Sequence, residues 1–177
     1  VRPEKTLGLL AIEPNGPPFF NVAYGGHVQS HIKNSKTDKK REGDKDWYIT
    51  ASKPDRPGGI TYSSLTFDPP LKDNEVLISE LDQGSTNDNL VQCYLQKEPA
   101  RKLTNLKKVP ILILSAQASY HSPYDHGTSN FLNQAGVKHD FLRLEDRNIK
   151  GNGHMMMLEK NNHEIADCLL NWMYSKI

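Results

Sequence analysis

The chain has 177 residues, with 22 basic and 21 acidic side chains, a formal net charge of +1 and 36% apolar residues. This length fits one domain, and the even charge balance offers no basic surface for nucleic acid or an anionic membrane. No apolar run approaches the ~18 residues that cross a bilayer, so we expect neither nucleic acid nor a membrane as a partner.

The first predicted element is a strand at residues 7–12, since a nearly continuous apolar run is typical of a parallel strand covered on both faces. The chain starts without Met almost directly on this strand. Because chain ends normally lie at the surface, we expect a piece cut from a longer polypeptide. Pro14, Asn15 and Gly16 end the strand in a turn, and residues 1–20 form the first part of the domain.

Residues 21–106 are predicted to be an irregular, cap-like excursion. Residues 34–46 are dense in charged side chains without apolar periodicity, which indicates a solvated loop. Prolines and aromatic residues dominate the stretch that follows. A single helix is predicted at residues 88–96, with Leu90, Val91, Tyr94 and Leu95 on its apolar face.

Residues 107–177 predict strand, helix, strand, helix. The strands are at 109–114 and 139–144, and the first helix, at 125–135, ends before Gly136. The second helix, at 162–175, has Asn162 as its N-cap. Its apolar face is Ile165, Ala166, Leu169, Leu170, Trp172 and Met173, and that of the first helix is Phe131, Leu132 and Ala135. The run from Met155 to Leu158 is expected in the core. Together the elements predict an α/β sheet of parallel strands with crossover helices.

Cys93 and Cys168 do not form a CxxC pair, which excludes a zinc ribbon or a thioredoxin-type site. A single bridge between them stays open. The compartment therefore stays open too, with secretion among the alternatives.

Working residues in open α/β sheets lie past the C-terminal ends of the strands, which selects Glu13, residues 115–125 and the loop with His154. Gly151 and Gly153 let that loop fold tightly enough to aim an imidazole into a cleft. A histidine base needs a carboxylate on its other ring nitrogen. The alternative for His154 is an ordinary surface-loop histidine.

Two carboxylates qualify as the acid. Glu13 ends a buried strand, where its burial is costly unless it is paired, and orienting an imidazole would offset that cost. A glutamate that faces water at a turn is the alternative. Asp125 is the second candidate, although an acidic residue at a helix start is also stabilised by the helix dipole.

A serine nucleophile in this fold class requires a G-x-S-x-G elbow, and the chain has none. Ser85 lacks the second glycine, and Ser115 and Ser119 lack both. The trio His121, Asp125 and His126 matches no zinc spacing, so packing and capping are favoured there. We expect no metal and no cofactor.

Five blocks resemble a group of bacterial and fungal α/β-hydrolase esterases: residues 9–19 (LLAIEPNGPPF), 66–70 (TFDPP), 96–101 (QKEPAR), 118–126 (ASYHSPYDH) and 151–160 (GNGHMMMLEK). The resemblance implies that the sixth strand of the sheet carries the triad acid, here Glu13, and that the loop after the eighth carries the histidine, here His154. Most α/β-hydrolases place the acid after the seventh strand, but residues 115–119 offer no carboxylate. The serine and the oxyanion hole are implied to lie on an N-terminal part before Val1.

The resemblance therefore implies a serine-type carboxylic-ester hydrolase whose substrate is a small ester. Its partner would be the N-terminal half of the same hydrolase, as a second chain or a missing segment. Candidates for substrate contact are Trp47, Tyr48, Tyr62, Tyr120 and His121, and ordinary packing is the alternative for the first three. The competing hypothesis is a non-catalytic binding subunit or pseudo-enzyme of the same fold, which binds a partner through an exposed strand edge.

Overall fold

The structure is a computed structural model that describes residues 2–14, 66–72, 79–82, 90 and 93–177. Within these ranges there are five strands and two α-helices: β1 (Leu9–Ile12), β2 (Ser79–Leu81), β3 (Tyr94–Gln96), β4 (Ile111–Ser115), α1 (Asp125–Gln134), β5 (Asp140–Arg143) and α2 (Asn162–Lys176). The charged stretch 34–46 and the residues Trp47, Tyr48 and Tyr62 lie outside the described residues.

The principal sheet has the order β1-β4-β5, and both strand pairs are parallel. The chain passes from β4 to β5 through α1, and α2 follows β5. The predicted α/β class, with parallel strands linked through helices, is therefore confirmed. Within the described residues no helix is both long enough and apolar enough to span a bilayer.

Strand β4 is the central strand of this three-stranded sheet, and all five of its residues are buried. Because side chains alternate along a strand, the apolar residues of β4 feed two clusters. Ile111 packs with Phe131 of α1, whereas Leu112 and Leu114 pack with Trp172 of α2. A strand covered by a helix on each face explains the uninterrupted apolar run that predicted it.

The first helix matches its prediction closely. It runs from Asp125 to Gln134, and Gly136 follows with a φ of 72°, which is the left-handed conformation that glycine adopts past a helix end. Phe131 and Ala135 are buried and Leu132 packs beside them.

The helix predicted at residues 88–96 is wrong over residues 94–96, and residues 88, 89, 91 and 92 lie outside the described part of the chain. Tyr94–Gln96 is strand β3, paired antiparallel with β2. Gln96 is buried, and its side chain exchanges hydrogen bonds with the backbone of Arg101. Tertiary bonds of this kind override a weak helical periodicity.

The second helix differs from its prediction at its start and on its apolar face. Asn161, not Asn162, is the N-cap residue, and no side chain caps the helix there. Ala166 and Leu170 are exposed, whereas four of the predicted residues do face the core: Ile165, Leu169, Trp172 and Met173.

The run of residues 155–158 is not core as a whole. Met156 is buried, but Met155 and Met157 are each 52% exposed and Leu158 is 76% exposed. Residues 156–158 form a single 3-10 turn, and such a turn directs successive side chains outward on different sides. Only one of the four side chains therefore reaches the interior.

Strand β1 is less covered than its sequence indicated. Among the described strands it pairs only with β4, and its residues are partly buried apart from Ile12, which is 39% exposed. The expectation of a strand covered on both faces is thus not met within the described part of the chain. Cys93 and Cys168 do not form a disulfide with each other.

Candidate active site

Glu13 and His154 meet above the C-terminal ends of β1, β4 and β5. The imidazole Nδ1 lies 2.7 Å from the carboxylate Oε2, across 141 positions of sequence. The Glu13 side chain is 1% exposed, while that of His154 is 35% exposed. The parallel register of the strands brings the two side chains to one edge of the sheet, so an acid from the interior holds a histidine that reaches the surface.

The Glu13 carboxylate has donors on both oxygens. The backbone N–H of Ala116 donates to Oε1 at 2.9 Å, and the Ser119 hydroxyl donates to Oε2 at 2.6 Å. A buried carboxylate is stable only when such donors replace water. The alternative of a water-facing Glu13 is therefore wrong, since 4% of this residue is exposed.

The backbone of Glu13 is in an uncommon conformation. Its φ is 46°, in the left-handed region that few residues other than glycine adopt. Its N–H still donates to the carbonyl of Leu114 at 2.8 Å, so the turn begins immediately after the strand. Strained residues of this kind persist only where the surrounding contacts hold them, and they cluster at functional sites.

The loop that carries His154 is tied to the segment just after β4. The N–H of Ala118 donates to the carbonyl of Asn152 at 2.9 Å, and the N–H of Gly151 donates to Oε1 of Gln117 at 3.1 Å. Gly151 has a φ of 80°, which only glycine adopts without strain. Residues 116–119 therefore hold both the acid and the histidine loop.

A second set of polar contacts braces the same loop from the other side. The Glu159 carboxylate accepts from the side-chain amide of Asn152 and, at 2.8 Å, from the N–H of Gly153. Asn152 and Asn161 also pair through their amides, with distances of 2.7 and 3.0 Å. None of these three residues was predicted from the sequence. Asn152 and Glu159 belong to the block 151–160, and that membership was the signal that could have identified these two.

Two aromatic rings flank the imidazole. The rings of His121 and His154 are stacked, with centroids 4.6 Å apart and an interplanar angle of 5°. The Tyr120 ring lies 4.9 Å from His154 at 52°. Tyr120 is 39% exposed, which suits a substrate contact, whereas His121 is 2% exposed and packs beneath the site.

Asp125, the alternative acid, is directed at His121. Its Oδ1 lies 3.5 Å from Nδ1 of His121, and no hydrogen bond or ion pair joins it to His154 among the described contacts. Burial raises the pKa of the Asp125 carboxyl, and the charge of Glu13 adds to this, while hydrogen bonds from His121 and Ser115 oppose it. Between the two candidate acids, only Glu13 contacts His154.

No nucleophile is in position within the described residues. Glu13 is the only hydrogen-bond partner of His154 there, and the Ser119 hydroxyl is engaged by Glu13. Burial, with the charges of Asp82 and Asp125, raises the pKa of Cys93 to about 12, so this thiol stays protonated and unreactive.

One group of metal-type ligands occurs in the described residues. Ligand atoms of Glu13, His121 and His154 lie within 4.8 Å of one another, a set the sequence spacing did not suggest. Both Glu13 oxygens already accept hydrogen bonds, and lone pairs of parallel stacked imidazoles do not converge on one ion. The arrangement thus suits an acid–imidazole pair better than a metal site.

The geometry defines the chemistry open to His154. In the tautomer whose Nδ1–H donates to Glu13, the neutral ring keeps a lone pair on Nε2. Such a nitrogen accepts a proton from a neighbouring nucleophile, and the carboxylate stabilises the imidazolium that forms. An α/β sheet with a carboxylate-held histidine at its C-terminal edge is the architecture of acid–base catalysis in hydrolases.

Comparison with known proteins shows that the chain is similar to a probable lipase. The probable secreted lipase phiG of Fungal sp. (strain ATCC 74256) is 36% identical over 178 residues, which is 97% of this chain and 40% of the lipase. The chain thus spans less than half of this relative's length. No protein-family model matches the chain, and no solved structure gives a significant match.

Proposed function

We propose that the chain forms part of a serine-type ester hydrolase of the α/β-hydrolase fold, in which Glu13 is the triad acid and His154 the general base. The contact of 2.7 Å between them carries the proposal. The similarity to a probable secreted lipase over 97% of the chain supports the reaction class. Together they favour acyl transfer to water from a small carboxylic ester.

The proposed mechanism needs a serine from another part of the protein. The serine hydroxyl gives its proton to Nε2 of His154 as its oxygen attacks the ester carbonyl, and Glu13 stabilises the resulting imidazolium. The imidazolium returns this proton to the departing alcohol. Water then repeats the sequence on the acyl-serine, with His154 as base again, and releases the acid.

The surface around β1 suits further polypeptide from the same hydrolase. Within the described part of the chain the second edge of β1 is unpaired. Ile12, at the end of this strand, lines an apolar groove of about 320 Å³ together with Met157, Ile165 and Leu169. Met155 and Leu158 are also exposed nearby in sequence. An unpaired strand edge with exposed apolar side chains is a site of association, and 60% of the lipase relative lies outside the region matched by this chain. We propose that this remaining part carries the serine and the oxyanion hole.

Complementation tests the proposal. The chain is refolded with the remaining part of the longer polypeptide, and hydrolysis of a short-chain p-nitrophenyl ester is measured for the mixture and for each part. We expect turnover only in the mixture. His154→Ala should reduce it by about 10⁴-fold or more, while Glu164→Ala, at an exposed position of α2 outside the lining of that groove, serves as the control and should retain it.

Two outcomes contradict the proposal. Turnover that survives His154→Ala would remove this residue from the chemistry. Stable association of the two parts without turnover would favour the alternative of a non-catalytic binding subunit.

A further inference from the structure

A second acid–imidazole pair lies directly against the first. His121 Nδ1 faces Asp125 Oδ1 at 3.5 Å, and the His121 ring is stacked on that of His154 at 4.6 Å. The order through the site is therefore carboxylate, imidazole, imidazole, carboxylate. The proposed mechanism uses only the outer pair, Glu13 and His154, and leaves the inner pair, His121 and Asp125, without a role.

The inner pair is not explained by packing alone. His121 is 2% exposed and Asp125 is fully buried. The contact of 3.5 Å is too long for a well-formed hydrogen bond, and no other partner is recorded for Nδ1 of His121. Beyond His121, the support of the Asp125 carboxyl is a hydrogen bond from Ser115. Burying an acid and a base with so few compensating bonds costs stability, and an apolar pair of similar size would avoid that cost.

We propose that His121 and Asp125 form a positioning pair that fixes the plane of the His154 ring and couples its protonation to that of His121. The stack restricts rotation of the imidazole about its side-chain bonds, while Glu13 fixes its Nδ1 end. The backbone N–H of His121 donates to Oγ of Ser119 at 3.1 Å, so the same serine that holds Glu13 also holds His121.

The coupling follows from the distance between the rings. Two positive imidazolium rings at 4.6 Å repel each other, and the burial of the His121 ring strengthens this repulsion. Two imidazoles in this position take up protons as a unit, in two macroscopic steps that belong to the pair.

The groups that face His121 come from every element around it. Glu13 follows β1, His154 lies in the loop after β5, and Asp125 begins α1. The rings of Tyr120 and Tyr124 lie 4.4 and 5.0 Å from the His121 ring. Burial raises the pKa of Tyr124, so its phenol adds no charge across the acid and neutral range.

The coupling is measured on this chain without any ester. Proton resonances of the imidazole Cε1–H groups are followed by NMR from pH 4 to pH 9, and each is assigned by its own substitution. We expect the His154 curve to show two inflections, one for its own protonation and one for that of His121. His121→Phe, which preserves a stacked ring without a titrating nitrogen, should leave a single inflection.

A second variant keeps the test decisive if the Phe substitution disturbs folding. Asp125→Asn removes the charge that draws a proton to His121, so the His154 curve should again show one inflection. His163→Phe is the control and should leave both inflections in place. A single inflection in the unsubstituted chain, with the same curve in both variants, would overturn the proposal.

Only the catalytic consequence of this pair rests on the proposed function. If the coupling is absent but the complemented enzyme hydrolyses the ester, the proposed role of the positioning pair is wrong and the proposed hydrolase function is retained. If the coupling is present but no mixture hydrolyses the ester, the positioning pair is supported and the proposed hydrolase function is wrong.

Discussion

The Ser119 hydroxyl donates to the same Glu13 oxygen that faces the imidazole of His154, at a distance of 2.6 Å. This serine follows β4 and looks like a candidate nucleophile by position alone. Its hydroxyl instead completes the donor set of a buried carboxylate. Ser119 is thus part of the support of the acid.

Ser119→Ala should destabilise the chain without abolishing chemistry. A hydrogen bond to a charged group contributes about 1.5–3 kcal/mol, and its loss should lower the free energy of unfolding in urea by that amount. Ser122→Ala, a partly buried serine on the same segment, should change it by less than about 0.5 kcal/mol. A loss of turnover as complete as that of His154→Ala would assign Ser119 to the nucleophile.

Glu13→Gln should retain the fold and remove most of the turnover of the complemented enzyme. An amide is isosteric, but it cannot stabilise the imidazolium or select the Nδ1–H tautomer, and the corresponding loss in triads is about 10⁴-fold in kcat. Single-turnover kinetics with a p-nitrophenyl ester measure this loss. Glu4→Gln, at an exposed position, is the matched control, and equal kcat values for the two variants would contradict the assignment.

Glu159→Ala should loosen the histidine loop. Without the carboxylate, the N–H of Gly153 and the amide of Asn152 lose an acceptor. We expect faster hydrogen exchange at Gly153 and a kcat about 10- to 100-fold lower, because a small displacement of the base is costly. Glu80→Ala, at an exposed glutamate of β2, should leave both unchanged. Unaltered exchange at Gly153 in Glu159→Ala would show that the carboxylate does not brace the loop.

Asp125→Asn should change how stability depends on pH. Burial raises the pKa of Asp125 in the folded chain, so between the unfolded value of about 3.9 and the raised folded value the folded state binds more protons. Stability from this group is therefore complete below about pH 3.9 and is lost as the pH rises through the folded pKa. The asparagine variant lacks this loss. Its free energy of unfolding relative to the parent should rise from pH 4 to pH 7, and a constant difference would contradict the prediction.

The sequence was most informative where one local pattern determines a structure. The apolar run of β4 and the glycine after α1 predicted their elements correctly. A strand buried on two faces requires consecutive apolar residues, and a left-handed turn favours glycine. Glu13 and His154 stood out since each follows a strand end.

Contacts between distant segments were not predictable in the same way. Strand β3 and the exposure of Met155 and Met157 depend on neighbours that no local period specifies. The bracing by Glu159 and the stacking of His121 on His154 are of the same kind. A single sequence states which side chains are available, but it does not state which loops the sheet brings together.

Residues 116–119 position both Glu13 and the loop that carries His154, because they bind the Glu13 carboxylate and the backbone around Asn152. The alignment of acid and base is therefore independent of how many residues separate them along the chain. Insertions or deletions between β1 and β4 change loop length at small entropic cost and leave this alignment intact.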